Sequence, residues 1–156
     1  MFFVTTRSAG SRRIFQTDRM ASLFVDILRS RMRAREILIH EFVVMPDHVH
    51  ILLTVPGDTS LEKVMQLIKG RYSFEAGRML GFKGEIWQRG FSDVRIKDQS
   101  SFEGHRKYIA SNPVRAGLVS SPEEYPYGSL YLKARKRAGA NAHDQASASG
   151  TTEVVP

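Results

Sequence analysis

Two segments of the chain place apolar residues three and four positions apart, which predicts a helix in each. The first set is Met20, Leu23, Phe24, Ile27 and Leu28, and the second is Leu61, Val64, Met65, Ile68 and Tyr72. Thr17 or Asp18 is a suitable cap for the first helix. Thr59 and Glu62 form a capping-box pattern ahead of the second.

Four other segments are short and rich in β-branched and aromatic residues, as strands are. They are Phe2 to Thr6, Ile37 to Met45, His48 to Val55 and roughly Phe91 to Ile96. Pro46 and Asp47 separate the second segment from the third and suit a tight reversal. These two segments are therefore predicted to form a hairpin.

A third helix is predicted to begin at Ser100, with Glu103 as its capping-box partner. It should end near Asn112, because Pro113 disfavours helical geometry in the residue before it. The order is then β-α-β-β-α-β followed by one helix. This is the ferredoxin-like (RRM-like) α+β order, in which two crossover helices cover one face of an antiparallel sheet. We expect the other face to be free for a ligand.

Composition changes after Leu132, where KARKRAGANAHDQASASGTTEVVP is basic at first and then poor in apolar residues. We predict one folded domain over residues 1–132 and a disordered tail over 133–156. The absence of cysteine limits any metal site to nitrogen and oxygen ligands. No apolar segment approaches the roughly 20 residues of a membrane helix, and no signal-peptide pattern opens the chain, so we expect a soluble cytoplasmic protein.

The charge balance favours a polyanionic partner. The chain has 23 Lys and Arg against 16 Asp and Glu, a formal net charge of +7. Nucleic acid is the commonest polyanion that such a surface binds, because each neutralised phosphate releases counterions. Charge alone leaves open that the protein is merely a basic one with no such partner.

Two histidines interrupt the apolar run VVMPDHVHILLTV. Side chains alternate across a strand, so Val49 and Ile51 should face the helices while His48 and His50 share the opposite face. Their bases are then about 7 Å apart, and both imidazoles can reach one metal ion. Two polar residues on a solvated sheet face would give the same pattern.

The third helix adds a phenol and an amide. Tyr108 and Asn112 are four residues apart and therefore neighbours on one helix face. An amide oxygen beside two imidazoles suits Mg²⁺ or Mn²⁺. Taken singly, Tyr108 is better explained as a core aromatic residue and Asn112 as a helix-ending residue before proline. His105, three residues before Tyr108, could reach it as a general base, although a lone histidine at such a position is more often a surface residue.

Four segments together resemble the REP-associated tyrosine transposases, a branch of the single-tyrosine HUH, or insertion-sequence-200-like, transposases. They are PDHVHILLTV, IKGRYS, IWQRGFSDV and YIASNPVRAGLV. The resemblance runs from Phe3 to about Leu132. It implies that His48 and His50 hold a divalent metal with help from Asn112, and that Tyr108 is the nucleophile.

The resemblance also implies a substrate and a reaction. The substrate would be single-stranded DNA with a palindrome folded as a hairpin, cut and rejoined through a 5′-phosphotyrosine, by a monomer or a homodimer. Basic and aromatic residues that could hold such DNA are Lys69, Arg71, Trp87, Gln88, Arg89 and Arg115. Trp87 has a structural alternative, which is to close the core beside Ile86.

Two other functions remain open from the sequence. An inert RRM-like nucleic-acid binder would have no need of two histidines, a tyrosine and an asparagine in this arrangement, and an RNA-binding sheet usually carries aromatic residues on its central strands. A metal-dependent nuclease that activates water would use the same metal ligands but not the tyrosine.

Overall fold

The computed structural model describes residues 1–148 and contains one four-stranded antiparallel sheet. The spatial order β2-β3-β1-β4 is formed by β1 (Phe2–Arg7), β2 (Leu38–Val44), β3 (His48–Thr54) and β4 (Ser92–Arg95). The crossover helices are α1 (Asp18–Arg33) and α2 (Leu61–Leu80). Two further helices follow β4, namely α3 (Gln99–Arg115) and α4 (Ser129–Ala148). The predicted ferredoxin-like fold is confirmed, and α4 is an addition to it.

One face of the sheet carries the larger core. Val49, Ile51 and Leu53 of β3 are fully buried there against α1 and α2, as their alternation predicted. Four aromatic side chains pack at one end of this core, with ring centroids 5.2 to 6.2 Å apart. They are Phe15, Phe24, Tyr72 and Trp87.

No helix in the described part of the chain combines the length and hydropathy needed to cross a membrane.

The opposite face of the sheet is not free, contrary to the expectation. Phe3, Val43 and Leu52 form a second buried cluster there with Ile109 of α3 and with Tyr125. The sequence pattern indicated that α3 is a helix but not that its apolar residues would rest on the sheet. Because α3 covers part of this face, a ligand can reach only the part that α3 leaves open.

The caps of two helices differ from the predicted ones by one or two residues. Ser60, and not Thr59, caps α2, since the Lys63 N–H donates to the Ser60 Oγ at 3.2 Å. At α3 the cap is Asp98, whose Oδ1 accepts from the Ser101 N–H at 2.7 Å. Several neighbouring residues in each segment have a side-chain oxygen that can cap, and the backbone geometry decides which one does so.

Helix α3 also extends past Pro113 to Arg115, where the sequence predicted an end at Asn112. Proline removes one backbone donor, but the helix bonding resumes after it, with the Ala116 N–H donating to the Asn112 carbonyl at 3.0 Å. Pro113 is itself buried. Packing of the ring therefore offsets the loss of one hydrogen bond.

The prediction of a disordered tail from Lys133 is wrong as far as Ala148, because α4 occupies this region. Residues before the helix attach it to β2: the Val44 N–H donates to the Tyr127 carbonyl at 2.8 Å, and the Tyr125 hydroxyl donates to the Val44 carbonyl at 2.6 Å. These contacts also protect the edge of β2. Residues 149–156 of the predicted tail lie outside the described residues.

We predict that Tyr72→Phe slightly lowers the free energy of unfolding at neutral pH. The free energy of unfolding of this variant should also fall less steeply than that of wild type as the pH rises into the alkaline range. The buried Tyr72 hydroxyl donates to the Met20 carbonyl at 2.9 Å, and losing one such bond costs about 1 kcal/mol. Burial raises the pKa of Tyr72. The unfolded chain therefore ionises first, and stability falls as the pH rises through about 10.

Urea unfolding at pH 7 and at about pH 10.5 measures both effects. The half-buried Tyr131 gives a matched control, since Tyr131→Phe should leave both the stability at pH 7 and its alkaline decline nearly unchanged. An equal alkaline decline in wild type and Tyr72→Phe would contradict the assignment.

Candidate active site

His50 lies at the centre of the sheet face that α3 partly covers. Its backbone pairs with Thr5 of β1, and the two side chains meet with 2.8 Å between His50 Nδ1 and Thr5 Oγ1. The residue is only 3% exposed. Its other ring nitrogen, Nε2, is buried and has no hydrogen-bond partner among the described residues. A buried polar atom without a partner is costly, so it marks a place where a ligand could supply one.

His48 lies beside His50, with ring centroids 4.7 Å apart. Its Nδ1 is 2.6 Å from the Asp47 carboxylate oxygen Oδ1. Both histidines thus engage Nδ1 with a neighbour and leave Nε2 for a ligand, the arrangement by which metal-binding histidines are oriented. The sequence predicted Asp47 only as a turn residue and indicated no role for Thr5. Thr5 is recognisable once the register of β1 on β3 is known, and Asp47 once the conformation of the turn before His48 is known.

The environment of His50 keeps its imidazole neutral. Burial, followed by the neighbouring His48 and Arg7, lowers the pKa of His50 to about 3, against an opposing effect of the Asn112 side chain. Neutral imidazole is the form that binds metal ions. The Asn112 side chain is close enough to affect His50, although no hydrogen bond of ordinary geometry joins it to Nε2.

Tyr108 lies on α3, and its partly exposed ring faces β1 and β3. Its ring centroid is 5.3 Å from that of His50 and 5.9 Å from that of Phe3, and the residue is 41% exposed. The Asn112 amide donates to the Tyr108 carbonyl at 2.7 Å, and the Arg115 guanidinium lies 5.6 Å from the Tyr108 ring centre. The structure therefore brings together five predicted residues, His48, His50, Tyr108, Asn112 and Arg115.

An open pocket of about 490 Å³ adjoins these residues. Phe3, Thr5 and Arg7 form one wall of it, and they alternate along β1 on the face opposite Val4 and Thr6. That alternation follows from the two-residue periodicity of a strand. His105 forms part of the opposite wall, with Nδ1 2.7 Å from the Ser101 carbonyl, which leaves its Nε2 available.

The donor set is compatible with the divalent metal that the resemblance implies, although it is not a complete cage. Two imidazole nitrogens and an amide are the available donors, and one of them, His50 Nε2, is otherwise unsatisfied. Within residues 1–148, no group of three or more His, Asp and Glu side chains is arranged to hold a metal. A site of this kind leaves coordination positions for water or a substrate oxygen.

The remaining predicted residues lie elsewhere or have structural contacts. Trp87 is 9% exposed and its indole N–H donates to the Lys69 carbonyl at 3.0 Å, so it belongs to the core, in agreement with the structural alternative. The Lys69 ammonium donates to the carbonyls of Gln88 and Gly90 at 3.2 and 2.7 Å. These contacts hold the segment that links α2 to β4.

Arg71 and Arg89, two of the predicted DNA-binding residues, differ in their side-chain contacts. Arg71 pairs with Glu75 at 2.8 Å on the outer side of the helix layer, in a groove formed with α1. Arg89, like Gln88, has an exposed side chain and lies within the segment that Lys69 holds. The structure thus leaves Arg89 free to meet a ligand and engages Arg71 within α2.

Comparison with known proteins identifies the family. A sequence profile described as "Transposase IS200 like" matches residues 3–112, which is most of the chain. The chain belongs to the IS200-like transposase family. The chain is similar to a protein of Haemophilus influenzae assigned as a REP-associated tyrosine transposase, with 30% identity over an alignment of 98 residues that covers 56% of each chain. These findings confirm the resemblance seen in the motifs.

Another relative and two solved structures extend the comparison. A REP-associated tyrosine transposase of Escherichia coli is 29% identical over 100 residues, 64% of this chain and 58% of that one. A REP-associated tyrosine transposase solved with a REP hairpin matches with a TM-score of 0.65 and 24% identity, over 84% of this chain and 76% of that one. A transposase from Deinococcus radiodurans matches with a TM-score of 0.51 and 17% identity, over 69% and 86%.

The alignments to the two curated relatives cover a little more than half of their lengths. At these levels of identity the two solved structures establish the fold of the chain. The family profile ends at Asn112, so the end of α3 and all of α4 lie beyond it.

We predict that Lys69→Met lowers the stability of the protein, whereas Arg89→Met does not. The Lys69 ammonium is partly buried, and burial lowers the pKa of Lys69. Removing the ammonium group takes the hydrogen-bond donor away from two carbonyls and should lower the free energy of unfolding by about 1 kcal/mol. Replacing an exposed arginine changes that free energy by no more than about 0.5 kcal/mol. Thermal unfolding of both variants at pH 7 decides the matter. Equal stabilities would mean that Lys69 has no such structural role.

Proposed function

We propose that this transposase cleaves and rejoins single-stranded DNA at hairpin-containing sites through a covalent bond to Tyr108, with a divalent metal. The observation that carries the proposal is the position of an exposed phenol, Tyr108, over a buried neutral imidazole, His50, with an unsatisfied nitrogen. A nucleophile and a ligand-binding group in one pocket are what covalent phosphoryl transfer requires.

The proposed substrate follows from charge and from relatives. The chain has a net charge of +7, and a related transposase was solved with a REP hairpin bound. Arg7 lies on the pocket wall and Arg115 lies against Tyr108. These two cations would attract the scissile phosphate to the phenol, and the exposed Arg89 would contact the backbone nearby.

The reaction can be followed at the level of bonds. The Tyr108 phenol gives its proton to solvent, its oxygen bonds to the scissile phosphorus, and the bond from phosphorus to the 3′ oxygen breaks as that oxygen takes up a proton from solvent. The DNA then carries a free 3′-hydroxyl, and its 5′ phosphate is joined to Tyr108. Attack by a 3′-hydroxyl on this phosphotyrosine reverses the step and joins strands.

His48, His50 and Asn112 would hold the divalent metal, Mg²⁺ or Mn²⁺. When bound, it would neutralise negative charge on the scissile phosphate and so favour attack by the phenol oxygen. Thr5 and Asp47 fix the rings of His50 and His48 through their Nδ1 atoms. Both residues thereby set the direction of the free nitrogens.

We predict that Tyr108→Phe abolishes the covalent protein–DNA adduct and cleavage, while DNA affinity changes by less than about twofold. The substitution removes only the nucleophilic oxygen, and the ring contacts with Phe3 and His50 remain. Denaturing gels with labelled hairpin oligonucleotides and Mn²⁺ measure adduct and cleavage together. Tyr131→Phe is the matched control, since Tyr131 lies on α4 away from the pocket.

The same gels distinguish the two alternative functions. Full cleavage by Tyr108→Phe would indicate a nuclease that activates water. Binding without cleavage by the wild-type protein, across a broad pool of hairpins and with either metal, would indicate an inert RRM-like binder.

We predict that His48→Ala abolishes Mn²⁺ binding at this site and reduces cleavage by at least about 100-fold. His40→Ala is the control, because His40 is bonded to Thr54 on another part of the sheet, at 2.8 Å. Calorimetric titration with Mn²⁺ measures binding without DNA. An unchanged metal affinity in His48→Ala would place the metal elsewhere.

A further inference from the structure

Glu41 is a buried carboxylate outside the pocket, on the edge strand β2. It is 2% exposed, and glutamate is almost never buried without partners. A bulge between Ile39 and Glu41 lets Ile39 and Phe42 face the larger core although they are three residues apart. The extra residue, His40, therefore turns the Glu41 side chain toward α3 and α4.

The partners of Glu41 all come from these two helices. Its Oε1 accepts from Arg106 of α3 at 3.2 and 3.3 Å and from Lys133 of α4 at 2.6 Å. Its Oε2 accepts from the Ser129 hydroxyl at the start of α4. The Ser129 oxygen in turn accepts from the Phe42 N–H at 3.0 Å. One carboxylate thus ties the last two helices to the sheet.

Arg106 and Tyr108 occupy different sides of α3. Two residues correspond to about 200° around a helix, so the Arg106 contact lies nearly opposite the direction in which Tyr108 points. Between them, Ile109 packs on the sheet. On the pocket side, the His105 ring packs on Phe3 with centroids 4.7 Å apart. Arg106 and His105 therefore hold α3 from two sides and fix its rotation about its own axis.

We propose that Glu41 is a positioning residue for Tyr108, acting through Arg106, and that Ser129 and Lys133 of α4 complete this device. The inference rests on the proposed function, and it gives a role in cleavage to residues that lie beyond the matched family region. If Arg106 loses its anchor, α3 is free to turn. A displacement of about 1 Å at a reacting atom is enough to cost about 100-fold in rate.

The test measures the rate of adduct formation at saturating hairpin DNA, in single turnover, for Glu41→Gln, Arg106→Met and Arg106→Lys. We expect a loss of about 10- to 100-fold in rate for Glu41→Gln and Arg106→Met, a DNA dissociation constant within about threefold of wild type, and partial recovery with Arg106→Lys. Lys133→Met, at a 44% exposed side chain, should show a smaller loss and remain folded. It keeps the proposal testable if Glu41→Gln does not fold.

Glu75→Gln is the matched control for loss of a buried carboxylate. Glu75 is 5% exposed and pairs with Arg71 and Arg78 within α2, at 2.8 and 2.7 Å. It lies in the helix layer on the far side of the sheet from Tyr108. Thermal stability should fall in both Glu75→Gln and Glu41→Gln, whereas the rate, measured well below either midpoint, should fall only in Glu41→Gln.

A second measurement is independent of catalysis. The chain has five tyrosines, so 3-fluorotyrosine labelling gives a small set of ¹⁹F signals, and Tyr108→Phe identifies the one from Tyr108. We expect Arg106→Met and Lys133→Met to shift or broaden that signal, and Glu75→Gln to leave it unchanged. No change in the signal in either variant, together with wild-type rates, would overturn the proposal.

The two measurements separate the two inferences. A wild-type protein that forms no adduct, but whose Tyr108 signal responds to Arg106→Met, would contradict the proposed reaction and support the positioning contact. A wild-type protein that forms the adduct, with variants that keep its rate, would contradict the positioning role alone.

Discussion

Burial of Val49, Ile51 and Leu53 against the two crossover helices is the constraint on which the rest of the structure depends. These three side chains are fully buried, and a strand cannot bury them without sending its alternate residues to the opposite face. His48 and His50 are therefore held on that face by the energetics of the core. The pocket needs no separate means of placing its histidines, because β3 cannot slip by one residue without exposing its apolar set.

The attachment of α3 and α4 to the sheet depends on a buried charge. Glu41 is stabilised in the interior only because Arg106, Lys133 and Ser129 surround its carboxylate. Removing one partner of such a group leaves a charge that is poorly solvated, which is more damaging than the loss of a surface ion pair. The two helices that follow the ferredoxin-like core are thus fixed to it by polar contacts at the edge strand, in addition to the small apolar cluster around Ile109.

Within the pocket, three orienting contacts serve the proposed chemistry. Thr5 and Asp47 each engage the Nδ1 atom of a histidine, and Asn112 bonds to the backbone of Tyr108. Each contact joins residues that are adjacent on a strand, on a helix or across a ladder, so it forms as soon as the secondary structure forms. The rotation of α3, by contrast, depends on the long-range contacts of Glu41 with Arg106, Lys133 and Ser129. A change in these contacts would affect activity and tertiary stability together.

The sequence by itself determined the order of elements in the ferredoxin-like core, the side of β3 on which the histidines lie, and the pairing of Tyr108 with Asn112. All of these follow from periodicities of two and of about 3.6 residues. Only the tertiary structure decided that Trp87 and Lys69 serve the core and its linker, that α3 covers part of the sheet face that was expected to be open, and that the segment after Leu132 is helical as far as Ala148. The reason is physical: the contacts of Lys133 with Glu41 and of Lys69 with Gln88 join residues 92 and 19 positions apart, and no local pattern records them.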